Sequence, residues 1–130
     1  MSTETLSWVR DYLSKVAAHD VEGASNYLAD DLVAHLLGRS KLAGDFSRDG
    51  LQEVMREMFG SLDVKIEPIE VMAGEDHAVA VVRSTVDVAG TTYEGLRTVL
   101  YRLSDGQIHE IWTFDEDQRA YDAAVDAGLG

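Results

Sequence analysis

Apolar residues recur at helical spacing from residue 4 to residue 19, at Leu6, Val9, Leu13, Val16 and Ala17, with Trp8 and Tyr12 one turn apart beside them. That period predicts an amphipathic helix. Asp20 is placed to cap a second, shorter helix holding Val21, Ala24, Tyr27 and Leu28. Leu32 to Leu37 is a short apolar run broken by His35 and closed by Gly38, which reads as a strand, and residues 38–47 read as a loop or loose hairpin. From Arg48 to Phe59 a third helix presents Leu51, Val54, Met55, Met58 and Phe59, with Gly60 as its end.

The remainder has the pattern of a sheet. Val64 to Met72 alternates imperfectly, and Pro68 removes a ladder donor, so this strand belongs at an edge or carries a bulge. Gly74-Glu75-Asp76 leads into a strand from His77 to Val88, and Ala89-Gly90 turns the chain again. Two runs rich in β-branched and aromatic residues then flank Asp105-Gly106, which predicts a hairpin, because both central residues of a type I′ turn need positive φ. After Asp115 the sequence predicts a last helix with acidic residues at its positive end. Helices followed by a run of strands point to an α+β fold: a cone-shaped α+β barrel, with three N-terminal helices packed in the concave face of a curved antiparallel sheet. Such a cone leaves an apolar pocket for a small molecule. Residues 1–130 carry no repeat, low-complexity tract or linker, so a single domain is expected.

Charge and composition narrow the function. The net charge of −13 disfavours nucleic acid and anionic membrane surfaces as partners. With no cysteine, neither a disulfide nor a thiol nucleophile is available. The N-terminus lacks the basic and apolar regions of a signal peptide and no run is long enough to span a bilayer, so a cytoplasmic protein is expected. His19, His35, His77 and His109 are scattered without ligand spacing, so neither a metal nor another cofactor is expected.

Candidate chemistry comes from polar residues set in apolar strands. His35 is either a base suited to proton abstraction beside a carbonyl or a core-edge histidine satisfied by a backbone carbonyl. Period-2 alternation puts Arg83 on one face with Val79, Val81 and Thr85; Arg97 on one with Val99 and Tyr101; and His109 on one with Ile111 and Thr113. If those faces point inward, Arg83, Arg97, Tyr101 and His109 enter the cavity; a slip of one residue turns the arginines outward, as partners for the acidic surface. Trp112 and Phe114 fall on the opposite face to His109, and aromatics on an outer sheet face suggest a homodimer through the sheet.

Several segments together resemble a known superfamily. Ala18-His19-Asp20-Val21-Glu22-Gly23-Ala24, Tyr27-Leu28-Ala29-Asp30-Asp31, Gly38-Arg39-Ser40, Leu42-Ala43-Gly44-Asp45-Phe46 and Tyr101-Arg102-Leu103-Ser104-Asp105-Gly106-Gln107-Ile108 with Trp112 are similar to the nuclear-transport-factor-2-like superfamily, in its SnoaL-like polyketide cyclase and ketosteroid isomerase branch. The fold hosts several chemistries. Resemblance to the isomerases implies that Tyr12 donates a hydrogen bond to a developing enolate oxygen. It sets His35 where their general base is an aspartate, and Val99 where a second oxyanion donor stands. Resemblance to the limonene epoxide hydrolases matches Arg83 to their arginine but sets Thr85 and Thr113 where their acids stand; Thr113 also replaces the last-strand aspartate of the cyclases.

Taken together, these features lead to the expectation of a cofactor-independent enzyme for isomerisation, cyclisation or dehydration of an apolar oxygenated metabolite such as a polyketide. His35 is the expected base, Tyr12 and Arg83 the oxyanion donors, and Trp8, Arg97, Tyr101, His109 and Thr113 the substrate-binding residues. A non-catalytic binding or templating module of the same fold is the alternative, as is an epoxide hydrolase-like enzyme with altered acids.

Overall fold

Two turns with positive φ at consecutive residues build the centre of the sheet. Asp105 and Gly106 have φ of 53° and 74°, and Ala89 and Gly90 have φ of 45° and 85°, so each closes a tight hairpin between long strands. The computed structural model describes residues 3–130. In chain order the elements are α1 (Thr3–Ala17), α2 (Val21–Ser25), β1 (Leu28–Leu36), β2 (Gly44–Phe46), α3 (Arg48–Ser61), β3 (Asp63–Ala73), β4 (His77–Val88), β5 (Thr91–Ser104), β6 (Gln107–Asp115) and α4 (Gln118–Leu129). The strands form one sheet in the order β2-β1-β6-β5-β4-β3.

The expected α+β class and curved sheet are present. The sheet is mixed rather than antiparallel, because β1 runs parallel to β6, with Val33–Leu36 beside Glu110–Thr113. Strands so far apart in sequence share no tight turn, so nothing local forces the antiparallel direction. β3 is an edge strand whose register shifts between Pro68 and Glu70, as the missing proline donor requires. Gly60 does not end α3, which runs on to Ser61 and closes through the Leu62 amide bonded to Met58.

Local signals fix the helix starts. Asp20, Ser47 and Asp117 each accept a hydrogen bond from the amide three residues on, at Gly23, Gly50 and Ala120, giving α2, α3 and α4 their N-caps. α1 lies across the concave face with Val9, Tyr12 and Leu13 buried. The small inward residues Ala73, Ala78 and Ala80 leave room for it.

A first apolar cluster joins α1 and α3 to the middle of the sheet through Val9, Leu13, Leu51, Met55, Tyr101 and Ile111. A second, of Leu62, Val64, Val86, Tyr93, Tyr121 and Val125, seats α4 against the other end. No helix among the described residues is long and apolar enough to cross a membrane.

Candidate small-molecule site

A cavity of about 110 Å³ lies where the two clusters meet, walled by α1, α3, the inner face of the sheet, residues 40–43 and Tyr121 of α4. One water needs only ~10–15 Å³, so this space suits a small organic molecule. Most of the wall is apolar: Leu13, Val16, Leu36, Leu42, Leu51, Met55, Phe59, Ile66, Val82, Val99 and Ile111. The polar side chains are Tyr12, Ser40, Ser84, Arg97, Tyr101, Thr113 and Tyr121. Neither a carboxylate nor an imidazole is among the lining residues.

Arg97 is held in place from two sides. Its Nε and Nη2 donate to the two carboxylate oxygens of Asp115 at 3.0 and 2.9 Å, and its guanidinium carbon lies 4.4 Å from the centre of the Tyr121 ring. Asp115 has no exposed side-chain surface and Arg97 keeps 17% of its own, so the arginine presents its free edge to the cavity while the acid stays behind it. Burial works against the arginine's charge, but Tyr121 and Asp115 more than offset it and raise its pKa above the ordinary value.

Tyr12 and Tyr101 form an edge-to-face pair with ring centres 5.8 Å apart. Burial raises the Tyr12 phenol above its usual range, and burial followed by the Tyr12 charge raises Tyr101, with Arg97 opposing. Both are therefore protonated donors throughout the neutral range. Among the described residues neither hydroxyl has a protein hydrogen-bond partner. Neither oxygen is among the fully buried unpaired atoms, so each keeps accessible surface beside the cavity, where an acceptor brought by a ligand or water completes it.

Four of the eight residues singled out from sequence line this cavity: Tyr12, Arg97, Tyr101 and Thr113. Thr113 also accepts from the Leu37 amide at 3.3 Å, fixing the start of the 38–43 loop. The other four lie elsewhere. On β1 the inward set is Leu32, Ala34 and Leu36, so His35 points to the convex face. There its Nδ1 and Nε2 meet Asp45 at 2.9 Å and Glu110 at 2.7 Å, and its ring stacks on Trp112. Hydrogen bonds to Glu110 and then Asp45 raise its pKa and favour the imidazolium, the form unable to accept a proton.

Arg83 is likewise corrected. The buried set on β4 is Ala78, Ala80, Val82, Ser84 and Val86, so Arg83 faces outward between Glu94 at 3.2 Å and Glu67 at 4.0 Å. His109 sits at a bulge in β6, its Nδ1 2.9 Å from Asp31, and lies outside the cavity wall. Trp8 stacks on Tyr27 at 5.7 Å, beside an ion-assisted Tyr27–Asp11 hydrogen bond, and also lies outside it.

Sequence reasoning missed Asp115 and Tyr121. Asp115 begins an acidic run with Glu116 and Asp117 that resembles a helix N-terminus, but only Asp117 caps α4, while Asp115 closes β6 opposite Arg97. α4 also clasps the cavity's rim: Asp122 and Asp126 accept the Arg39 and Lys41 amides at 2.8 and 2.7 Å, and Gln118 donates to the Leu37 carbonyl at 3.2 Å.

The architecture recurs in solved structures. A nuclear-transport-factor-2-like protein from Burkholderia xenovorans superposes with a TM-score of 0.81 at 19% identity, over 96% of this chain and 98% of that one. TerC, co-crystallised with polyporic acid, gives 0.81 at 16% identity over 94% and 98%. An LEH-like epoxide hydrolase of Mycobacterium tuberculosis gives 0.74 at 17% identity over 98% and 93%. At such identities the likeness is one of fold. No curated protein matches the sequence. The model of the SnoaL-like domain matches residues 9–111, and with that span the chain belongs to the SnoaL-like domain family.

Proposed function

We propose that this chain binds a small, largely apolar metabolite through one oxygen acceptor and acts on it without a cofactor, by stabilising negative charge that develops on that oxygen. The reading rests on one observation: two tyrosine hydroxyls with no protein acceptor and the free edge of Arg97 border the same apolar cavity. Donors of this kind, fixed in place before reaction, favour an enolate-like transition state over a neutral carbonyl. Each is worth about 2–4 kcal/mol of barrier when aimed at the developing charge. The cavity wall supplies no base, so the proton is carried by the substrate's own basic group or by water, and isomerisation or cyclisation of an activated carbonyl compound is the chemistry that fits. Tyr12→Phe and Tyr101→Phe test it: turnover of a carbonyl substrate unchanged in both variants removes the assignment.

The same lack of a carboxylate or imidazole favours a second reading, a module that holds or templates its ligand without converting it. A bound metabolite released chemically unchanged after prolonged incubation, with turnover absent, selects that reading. The reading includes a cytoplasmic location, with which a cysteine-free chain is compatible.

The partner we propose is a second copy of the chain, docked through the convex face. Met72, Val79, Leu100, Trp112 and His35 stand in register across five strands and form a continuous row there. Phe114 and Leu96 beside it are 45% and 37% exposed. Several charges on this face are paired within it: Arg83 with Glu94 and Glu67, Arg102 with Glu110, His35 with Asp45 and Glu110. On a chain of net charge −13, an apolar row whose central charges are paired is where two copies meet with less repulsion.

A further inference from the structure

We infer that Asp115 sets the charge selectivity of the cavity: by neutralising Arg97 from behind, it makes the site select uncharged oxygen acceptors, such as ketones, over carboxylates. The inference rests on the small-molecule reading above and specifies the class of ligand.

An arginine at the end of an apolar cavity ordinarily marks a site for an anion, since a bidentate fork matches a carboxylate. Here the Nε–Nη2 side of that fork is already taken. Nε and Nη2 of Arg97 are both engaged by Asp115, whose side chain is fully buried and which sits directly opposite Arg97 on the neighbouring strand. What remains toward the cavity is one edge of a guanidinium whose charge is balanced. The next carboxylates in the chain are engaged elsewhere: Glu116 accepts the Leu96 amide at 2.8 Å and Asp117 caps α4. The other polar groups of the wall, Tyr12, Ser40, Ser84, Tyr101, Thr113 and Tyr121, are hydroxyls.

The site therefore offers hydrogen-bond donors with no net positive charge. A carboxylate entering it loses its hydration and gains no uncompensated cation, inside a chain of net charge −13. A carbonyl oxygen loses far less and finds the same donors. Asp115 touches no ligand in this arrangement; it acts through Arg97, as a positioning and charge-setting residue.

Acetophenone and benzoate are nearly isosteric and differ by a methyl group against a charged oxygen, so their affinity ratio reads charge selectivity apart from size. Titration of each into the protein at pH 7.5, followed by amide chemical shifts, is expected to give acetophenone at least about tenfold tighter binding. Asp115→Asn keeps an oxygen acceptor for Arg97 and removes the counter-charge, and it is expected to reverse the order, benzoate gaining at least about tenfold relative to acetophenone. A purely structural role for Asp115 would weaken both probes alike and leave their ratio unchanged, which overturns the inference. Benzoate binding the wild-type protein as tightly as acetophenone also overturns it, whether or not the variant folds, while leaving the cavity reading intact. Binding of neither probe to the wild-type protein ends both.

Discussion

Arg97 and Asp115 face each other across β5 and β6 because β6 carries one extra residue. Ser104 pairs with Gln107 and Leu103 with Ile108 next to the turn, yet Arg102 pairs with Glu110, so the bulge passes over His109. A two-residue hairpin without that bulge would set Phe114 opposite Arg97. The bulge therefore brings the buried acid to the arginine, and it also parts His109 from the inward row of Ile111 and Thr113. An ion pair this enclosed is sensitive to loss of one member. Arg97→Met leaves Asp115 buried without its partner and is expected to lower unfolding free energy by about 3–5 kcal/mol, read from urea midpoints. Arg97→Met with Asp115→Leu removes both charges and should recover most of that loss.

The Tyr12 and Tyr101 hydroxyls make the opposite prediction for stability. Neither has a protein acceptor among the described residues, so removing one by Tyr→Phe gives up no internal hydrogen bond and takes a polar atom out of an apolar wall. Tyr12→Phe and Tyr101→Phe are expected to be as stable as wild type or up to about 1 kcal/mol more stable without ligand, and weaker in ligand binding. Thermal denaturation with and without acetophenone separates the two effects; a clear destabilisation without ligand would mean the hydroxyls are already satisfied.

His35 couples stability to pH without touching the cavity. Its pKa is raised in the folded chain, chiefly by Glu110 and then by Asp45, so its stabilising contribution is fully present below the unfolded imidazole value and is lost as pH rises through the folded value. The Glu110 pKa is lowered, by His35 first and Arg102 next, so its contribution is present above the unfolded carboxylate value and is lost as pH falls through the folded one. His35→Gln should therefore destabilise most between those limits, in mildly acidic solution, and progressively less toward alkaline pH. Turnover and ligand affinity of the folded variant should match wild type. A difference in stability that grows with rising pH would contradict the assignment.

Leu100 lies at the centre of the convex row, between Val79 and Trp112. Leu100→Glu places a charge there and is expected to convert a sedimentation-equilibrium dimer to monomer, with unchanged secondary structure. A wild-type protein that is monomeric at high micromolar concentration would rule out the proposed self-association.

Gly38 joins β1 to the cavity's rim at φ 113°, and a Cβ there would come within 2.5 Å of Asp122 and Gln118 on α4. Gly38→Ala is expected to cost about 1–3 kcal/mol of stability through backbone strain and loss of the clasp. Faster hydrogen exchange at the Arg39 and Lys41 amides would locate the loss; unchanged exchange would show the clasp survives.

How far the sequence can be read depends on which signals are local. The Asp105-Gly106 turn, the limits of β4 and the disruption at Pro68 follow from residues adjacent in the chain, and all are found where the pattern puts them. The direction of β1 depends on β6, some 75 residues away, and no local pattern encodes it. The inward face of β4 is hidden for a different reason. Val79 and Val81 alternate with Ala78, Ala80 and Val82, so both faces are apolar, and the small set turns inward because α1 must fit above it. That one-residue ambiguity hid the outward direction of Arg83, and the equivalent one on β1 hid that of His35. Tyr12 and Tyr101 were legible as cavity residues since helical and strand periods place them beside buried neighbours; Asp115 was masked by the acidic run it begins.

A crystal structure with acetophenone bound tests the donor-lined cavity most directly. The carbonyl oxygen is expected within about 2.7–3.0 Å of the Tyr12 and Tyr101 hydroxyls and the free edge of Arg97, with the ring against Val99 and Ile111. A ring bound with its oxygen turned away from all three donors, or bound outside the cavity, would contradict it.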